Sequence, residues 1–182
     1  MSLQRVCVFC GSGNGAQPQY RAVAADFGRH LAQEKVGVVY GAGGIGVMGA
    51  LSDAVLNEGG EITGVIPQEL LDREQGRRDL SDLRVVASMH ERKALMHALV
   101  DAYLVLPGGL GTFEELLEVT TWAQLGLHSK PIVVCDVEGF YQPLLALLDH
   151  GVTEGFLTQN DHSLLRYTST IEAAWQLLQT PA

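Results

Sequence analysis

Short runs of consecutive apolar residues recur along this chain at residues 5–10, 36–40, 62–66, 83–87, 102–106 and 131–135, with a shorter one at 164–167 that reads as an edge strand. Runs that are apolar at successive positions, rather than at alternate ones, belong to strands covered on both faces, as in a parallel sheet. Between them the apolar residues switch to helical spacing. Pro18 stands where a helix tolerates proline, in its first turn, and Ala22, Ala25, Phe27 and Leu31 mark a buried stripe behind it. Further helices are expected up to about residue 57, from residue 89 onward, from the 107–112 loop to about residue 127, and over 140–149 and 171–178. Strand and helix alternate throughout. The predicted fold is therefore α/β: a Rossmann-like, doubly wound parallel sheet in three αβα layers, one domain over residues 1–182 with right-handed crossovers. Residues 68–82 interrupt the rhythm, with Arg73, Arg77 and Arg78 among five acidic residues, and read as a partly helical excursion with a solvated face.

What ends the strands is more telling than what fills them. Glycine loops or helix starts follow strands at residues 11–15, 41–46, 89–93 and 107–112, and in a parallel sheet all four lie at one rim and can converge on one ligand. The densest is Pro107-Gly108-Gly109-Leu110-Gly111-Thr112, which runs into a helix carrying Glu114 and Glu115. Glycines let backbone approach a ligand, and the N–H groups of a first helical turn suit a phosphate. Thr112 followed by Glu115 also has the spacing of a capping box, a purely structural alternative. Residues 41–46 spell G-x-G-x-x-G, but the acidic residue at the right distance, Glu61, precedes its strand instead of ending it. A dinucleotide reading fails there, and a phosphate loop remains.

Composition narrows the partners. A net charge of −9 and a pI near 5.0 argue against a nucleic-acid or anionic-membrane surface, so any phosphate is bound locally. No apolar run reaches the length of a membrane span, and the start at Met1 shows no leader pattern, so a cytoplasmic protein is expected. Three cysteines make no disulfide framework, and Cys7 and Cys10, three apart in a strand, should point to opposite faces.

The rim thus combines an anion-binding set (loop amides, Arg92, Lys93, Thr112) with the carboxylates Glu114 and Glu115. That suits a ligand with a phosphate at one end and an incipient cation at the other, such as a ribose 5-phosphate losing a base. Glu115 is the candidate carboxylate, Arg92 the candidate for holding oxygens or assisting the departing base. Two cations in succession at a helix start oppose its dipole and so call for a reason. His90 has no partner at metal-ligand spacing, while His97, His128 and His162 read as structural or surface residues, and no metal is expected. A pyridoxal enzyme would need a Schiff-base lysine, and of Lys35, Lys93 and Lys130 only Lys93 lies at the rim. No cofactor is expected.

Pro107-Gly108-Gly109-x-Gly111-Thr112-x-x-Glu115 resembles the signature of the Lonely Guy (LOG) family of nucleoside 5′-monophosphate phosphoribohydrolases. Gly11-Ser12, Tyr40-Gly41-x-Gly43-Gly44, Gly46-x-Met48-Gly49 and Met89-His90-x-Arg92-Lys93 stand in that family's order, over roughly residues 5–136. The resemblance implies Arg92 and Glu115 as the catalytic pair. It implies nucleotide contacts from Gly11, Ser12, Gly43, Gly44, Met48, Met89, Lys93, Gly108, Gly109, Leu110, Gly111, Thr112 and Glu114, with Thr121 a further candidate. Ala42 stands where a third consecutive glycine is common, a conservative departure. The family removes ribose 5-phosphate from cytokinin riboside monophosphates, and often from AMP, and is typically homodimeric. A dimer is also expected from the helix after the glycine motif, where Leu116, Val119, Ala123 and Leu127 lie beside Phe113, Leu117 and Trp122. The rival expectation is a non-catalytic nucleotide or phosphorylated-cofactor binding protein, like the molybdenum-cofactor carriers of similar fold.

Overall fold

The computed structural model describes residues 3–73 and 76–180, with Arg73 as backbone only. Met1 and Ser2, on which the expectation about the chain's start depends, lie outside the described residues, as do Glu74 and Gln75 of the excursion. In chain order the elements are β1 (Arg5–Phe9), α1 (Pro18–Gln33), β2 (Gly37–Tyr40), α2 (Gly46–Asn57), β3 (Ile62–Pro67), α3 (Gln68–Arg73), β4 (Asp82–Val86) and α4 (Met89–Ala98). Then follow β5 (Ala102–Val105), α5 (Leu110–Gln124), β6 (Ile132–Cys135), α6 (Gln142–Thr153), α7 (Gln159–Ser163), β7 (Leu165–Thr168) and α8 (Ile171–Gln179).

The seven strands form one sheet in the order β4-β3-β2-β1-β5-β6-β7, and each neighbouring pair is parallel. From β1 the chain winds outward through β2, β3 and β4, then returns to place β5 on the other flank of β1, with Val8 opposite Leu104. The order reverses between β1 and β5, and ligands of open parallel sheets bind beyond the carboxyl ends of such a pair. The expected Rossmann-like, doubly wound sheet is what forms.

Continuous burial of the strands follows from cover on both faces. Val6, Val8 and Cys10 enter the core on one side, Cys7 and Phe9 that on the other, so the C-x-x-C pair is split by the sheet and all three cysteines are free and buried. Helix α1 buries Phe27 and Leu31 as expected, but with Ala24 and Gly28 beside them in place of Ala22, which is exposed, and Ala25, which is half-buried. The difference comes from Gly28: a Cβ there would stand 2.6 Å from the Leu51 carbonyl oxygen, so the glycine lets α1 lie directly on α2.

The 68–82 excursion is less solvated than its composition suggests. Leu71 and Leu80 are buried, Arg77 N–H donates to the Ala42 carbonyl, and the Arg77 guanidinium reaches Ser52, Asp53 and Asp79. Two leucines in a polar stretch suffice to pin it over the carboxyl end of β3. Ala42 accepts this contact in a left-handed backbone conformation (φ 63°) that glycine adopts without strain, so the alanine is less conservative than the motif comparison suggests.

Candidate active site

Three of the helices carry side-chain caps, and α1, α2 and α6 have none. Ser88 accepts from Glu91 N–H at the start of α4, Thr158 and Asp161 close a capping box on α7, and Thr170 caps α8. Helix α5 has none either. Its N-cap is Gly109, without a side-chain acceptor, and among the described residues the N–H groups of Leu110, Gly111 and Thr112 find no protein partner. Thr112 and Glu115 both lie inside the helix, one turn past the cap, so the capping-box alternative is wrong: the spacing is right but the helix starts too early. An uncapped, glycine-lined helix start at the switch point has the backbone geometry and dipole that suit an anion.

The second glycine loop behaves oppositely. Val47 N–H donates to the Gly13 carbonyl and Met48 N–H to that of Gly11, so the first donors of α2 are consumed by the loop after β1. Gly43 forms an isolated bridge with Gly76 and lies against Met48, and neither it nor Gly44 lines the cleft. Residues 41–46 therefore build the wall, whereas the N–H groups of residues 110–112 stay open to the cleft.

The cleft, of about 300 Å³, is bounded by Cys10, Gly11, Ser12, Met48, Leu70, Met89, Arg92, Gly109, Leu110, Gly111, Thr112, Glu114 and Glu115. A recess of about 270 Å³ continues it past Gly11, Ser12 and Gly109 to Gly108, Tyr20 and Phe140. On the cleft, Arg92 from α4 faces Glu115 from α5, with Nη2 and Oε1 3.6 Å apart, and the two residues are only 8% and 9% exposed. The Arg92 guanidinium is poorly satisfied: Nη1 meets the Met89 sulfur at 3.8 Å, and buried Nε has no hydrogen-bond partner. Buried polar groups are nearly always paired, and an unpaired guanidinium nitrogen at a cleft marks a place for a ligand. Burial pushes the Glu115 carboxyl up to about 7, with Arg92 pulling it back and Glu114 adding to the rise.

Gly41 makes the Arg92 position possible, which sequence reasoning missed. A Cβ on Gly41 would collide with the Arg92 guanidinium. Its backbone is not in the left-handed region, so Gly41→Ala should fold with little change in melting temperature yet lower turnover on the order of 100-fold by displacing the guanidinium. Thermal unfolding beside steady-state assay checks this, and full activity of Gly41→Ala would show that the guanidinium position is immaterial.

Two other candidates do not reach the cleft. Lys93 turns its amine to Glu114 and Glu118 on α5, and Thr121 lies farther along that helix beside Leu117, Thr120 and Gln124, its hydroxyl bonded to the Leu117 carbonyl. Cys10 and Leu70, by contrast, line the cleft unforeseen. Only the position of Cys10, directly before the first glycine loop, hinted at this.

Fold and site together define a class: a Rossmann-like α/β protein that sets a buried arginine–glutamate pair beside an uncapped helix start at the switch point. The sequence profile of the family described as "Possible lysine decarboxylase" matches residues 48–178. The cytokinin riboside 5′-monophosphate phosphoribohydrolase LOG of Oryza sativa subsp. japonica is 45% identical over 162 residues, which are 89% of this chain and 67% of the relative. LOG4 of Arabidopsis thaliana is 47% identical over 161 residues, 88% and 75% of the two chains. The chain belongs to this LOG family. In structure it resembles the molybdenum cofactor binding protein of Rippkaea orientalis, with TM-score 0.73, 20% identity and 98% and 96% of the two chains covered. That likeness, at such low identity, is one of fold.

The decarboxylase description would imply pyridoxal phosphate, and the residues do not fit it. Lys93 is held by two carboxylates away from the cleft, and Lys130 Nζ donates to the His97 carbonyl. Lys35 sits in the turn between α1 and β2, at the amino end of the strand, whereas the cleft lies beyond the carboxyl ends. No lysine lines the cleft to form a Schiff base.

Proposed function

We propose that this protein, as a single nucleotide-binding domain, hydrolyses the N-glycosidic bond of purine riboside 5′-monophosphates, of cytokinin type or AMP, to free base and ribose 5-phosphate. One observation carries the reading: the under-satisfied Arg92 guanidinium facing buried Glu115 beside the open start of α5. The names of the relatives agree with it. The 5′-phosphate sits on the N–H groups of residues 110–112 with the Thr112 hydroxyl. The C1′–N bond breaks with its electron pair leaving on the base, where the Arg92 guanidinium stabilises the developing charge. Water adds to C1′ and gives its proton to the Glu115 carboxylate, which also stabilises the oxocarbenium-like state before it. A carboxyl titrating near 7 is suited to accept that proton and then pass it on to the base nitrogen, so that the base departs neutral and Glu115 is again ionised.

The test is direct. Purified protein incubated with AMP and with isopentenyladenosine monophosphate should release adenine and isopentenyladenine, resolved by chromatography. Retention of both nucleotides intact, with tight binding, would favour the non-catalytic carrier.

The reading includes a homodimer working in the cytoplasm. Among the described residues no helix is long and apolar enough to cross a membrane. Along α5, Leu116 and Val119 are core residues after all, but Leu117 (45% exposed) is not, and Leu125 and Leu127 just beyond it are each 67% exposed. A two-fold contact over these leucines would cover them and bring partner side chains near the cleft. Light scattering should give twice the 19.6 kDa chain mass, and a fully active monomer would refute the dimer.

A further inference from the structure

We propose that Lys93 is a positioning residue, not a phosphate ligand: it clasps Glu114 and Glu118 of α5 to α4 and thereby keeps Glu115 opposite Arg92. This inference rests on the hydrolytic reading of the Arg92–Glu115 pair. Successive helical residues diverge by about 100°, so Arg92 turns to the cleft while Lys93 turns to the flank of α5. There its side chain is only 12% exposed and its amine donates to Glu114 Oε1 and, at 2.8 Å, to Glu118 Oε1. Although burial pulls the other way, these bonds hold the ammonium above its usual range, so it stays charged.

The arrangement answers a local problem. Glu114, Glu115 and Glu118 crowd three carboxylates into little more than one turn, and the outer two are a like-charge pair at i and i+4. Glu114 also lines the cleft, where a second free carboxylate would compete for Arg92. Lys93 neutralises both outer acids and holds Glu114 aside. The other groups facing Glu115 are Arg92 on α4, Cys7 on β1 and Cys10 just after it, the two thiols held up and neutral by burial. His97, pushed down to about 4 by burial and Lys130, and Tyr103, pushed up by burial, line the small space between Lys93 and Glu115 and are uncharged near neutral pH.

The experiment compares wild type, Lys93→Met, Lys93→Arg and Glu118→Gln in three readouts: carboxyl 13C NMR titration of Glu115, calorimetric binding of ribose 5-phosphate, and AMP hydrolysis against pH. Lys93→Met should move the Glu115 midpoint up by about one pH unit, cutting kcat about fivefold at pH 7 and much less at pH 9. Its KM and its affinity for ribose 5-phosphate should stay within about twofold. Lys93→Arg should restore the wild-type profile, and Glu118→Gln should move the midpoint down, an opposite shift that general loosening of α5 does not produce. A tenfold or greater loss of ribose 5-phosphate affinity in Lys93→Met with the Glu115 midpoint unmoved would make Lys93 a phosphate ligand and overturn the proposal. An unmoved midpoint with unchanged affinity overturns it equally. Should wild type hydrolyse no nucleotide, the functional reading fails, while titration and calorimetry still decide the clasp.

Discussion

Glu115→Gln lowers AMP hydrolysis by at least about 100-fold while the nucleotide still binds, and it raises thermal stability at alkaline pH. The first half follows from removing the one carboxylate that faces Arg92 on the cleft, which carries both charge stabilisation and proton acceptance. With the capping box ruled out, Glu115 does not hold up the start of α5, so loss of turnover does not come from loss of the helix. The second half is a matter of linkage. Burial raises the folded-state carboxyl from 4.5 to about 7, so the fold favours the protonated form. Its contribution to stability is fully present below about pH 4.5 and is lost as pH rises through about 7, because the native state then has to ionise a buried acid. Glutamine stays neutral, so above pH 7 the variant should gain on the order of 1–3 kcal/mol, and near pH 4 almost nothing. That balance already includes the lost attraction to Arg92, which burial outweighs. Melting curves at pH 4.5 and 8.5, beside single-turnover assays, test both halves. Near-normal turnover would remove Glu115 from the mechanism, and a lower melting temperature at pH 8.5 would mean that the Arg92 pairing dominates burial. For the wild type the same ionisation sets the acid limb of kcat/KM near pH 7.

Adenosine should be at least about 100-fold poorer than AMP in kcat/KM. The open N–H groups of residues 110–112 are helix-start donors on the cleft left without protein partners among the described residues, and the phosphate is the part of the substrate that fits them. Hydrogen bonds to a charged group contribute about 1.5–3 kcal/mol each, and binding energy far from the reacting bond can be used to place C1′ against Glu115. Free ribose 5-phosphate should inhibit competitively for the same reason. Equal rates on adenosine and AMP would show that α5 holds no phosphate.

Which features could be read from the sequence depended on the range of the interaction that decides them. Strand runs apolar on both faces, helical stripes between them and glycines at the strand ends are local patterns with long-range meaning, because a doubly wound sheet is almost the only way to bury such strands. The fold, the switch-point rim and the facing of Arg92 and Glu115 were expected from them, the last through a motif resemblance. Other features depend on which backbone groups have already found partners, and that is invisible along the chain. Residues 41–46 and 107–112 are equally rich in glycine, yet the carbonyls of Gly11 and Gly13 consume the donors of one helix start and leave the other open. Thr112 and Glu115 have capping-box spacing, but Gly109 became the cap, and a helix boundary is set by which N–H finds a carbonyl four residues back. Arg92 and Lys93 are neighbours of like charge, and only the packing of α4 against α5 turns one to the cleft and the other to a pair of carboxylates. Leu70 lies in a polar stretch and reaches the cleft because Leu71 and Leu80, a few positions away, anchor that stretch to the core. Hydrophobic period is a property of neighbours in sequence, whereas the saturation of donors and the direction of a charge are properties of neighbours in space.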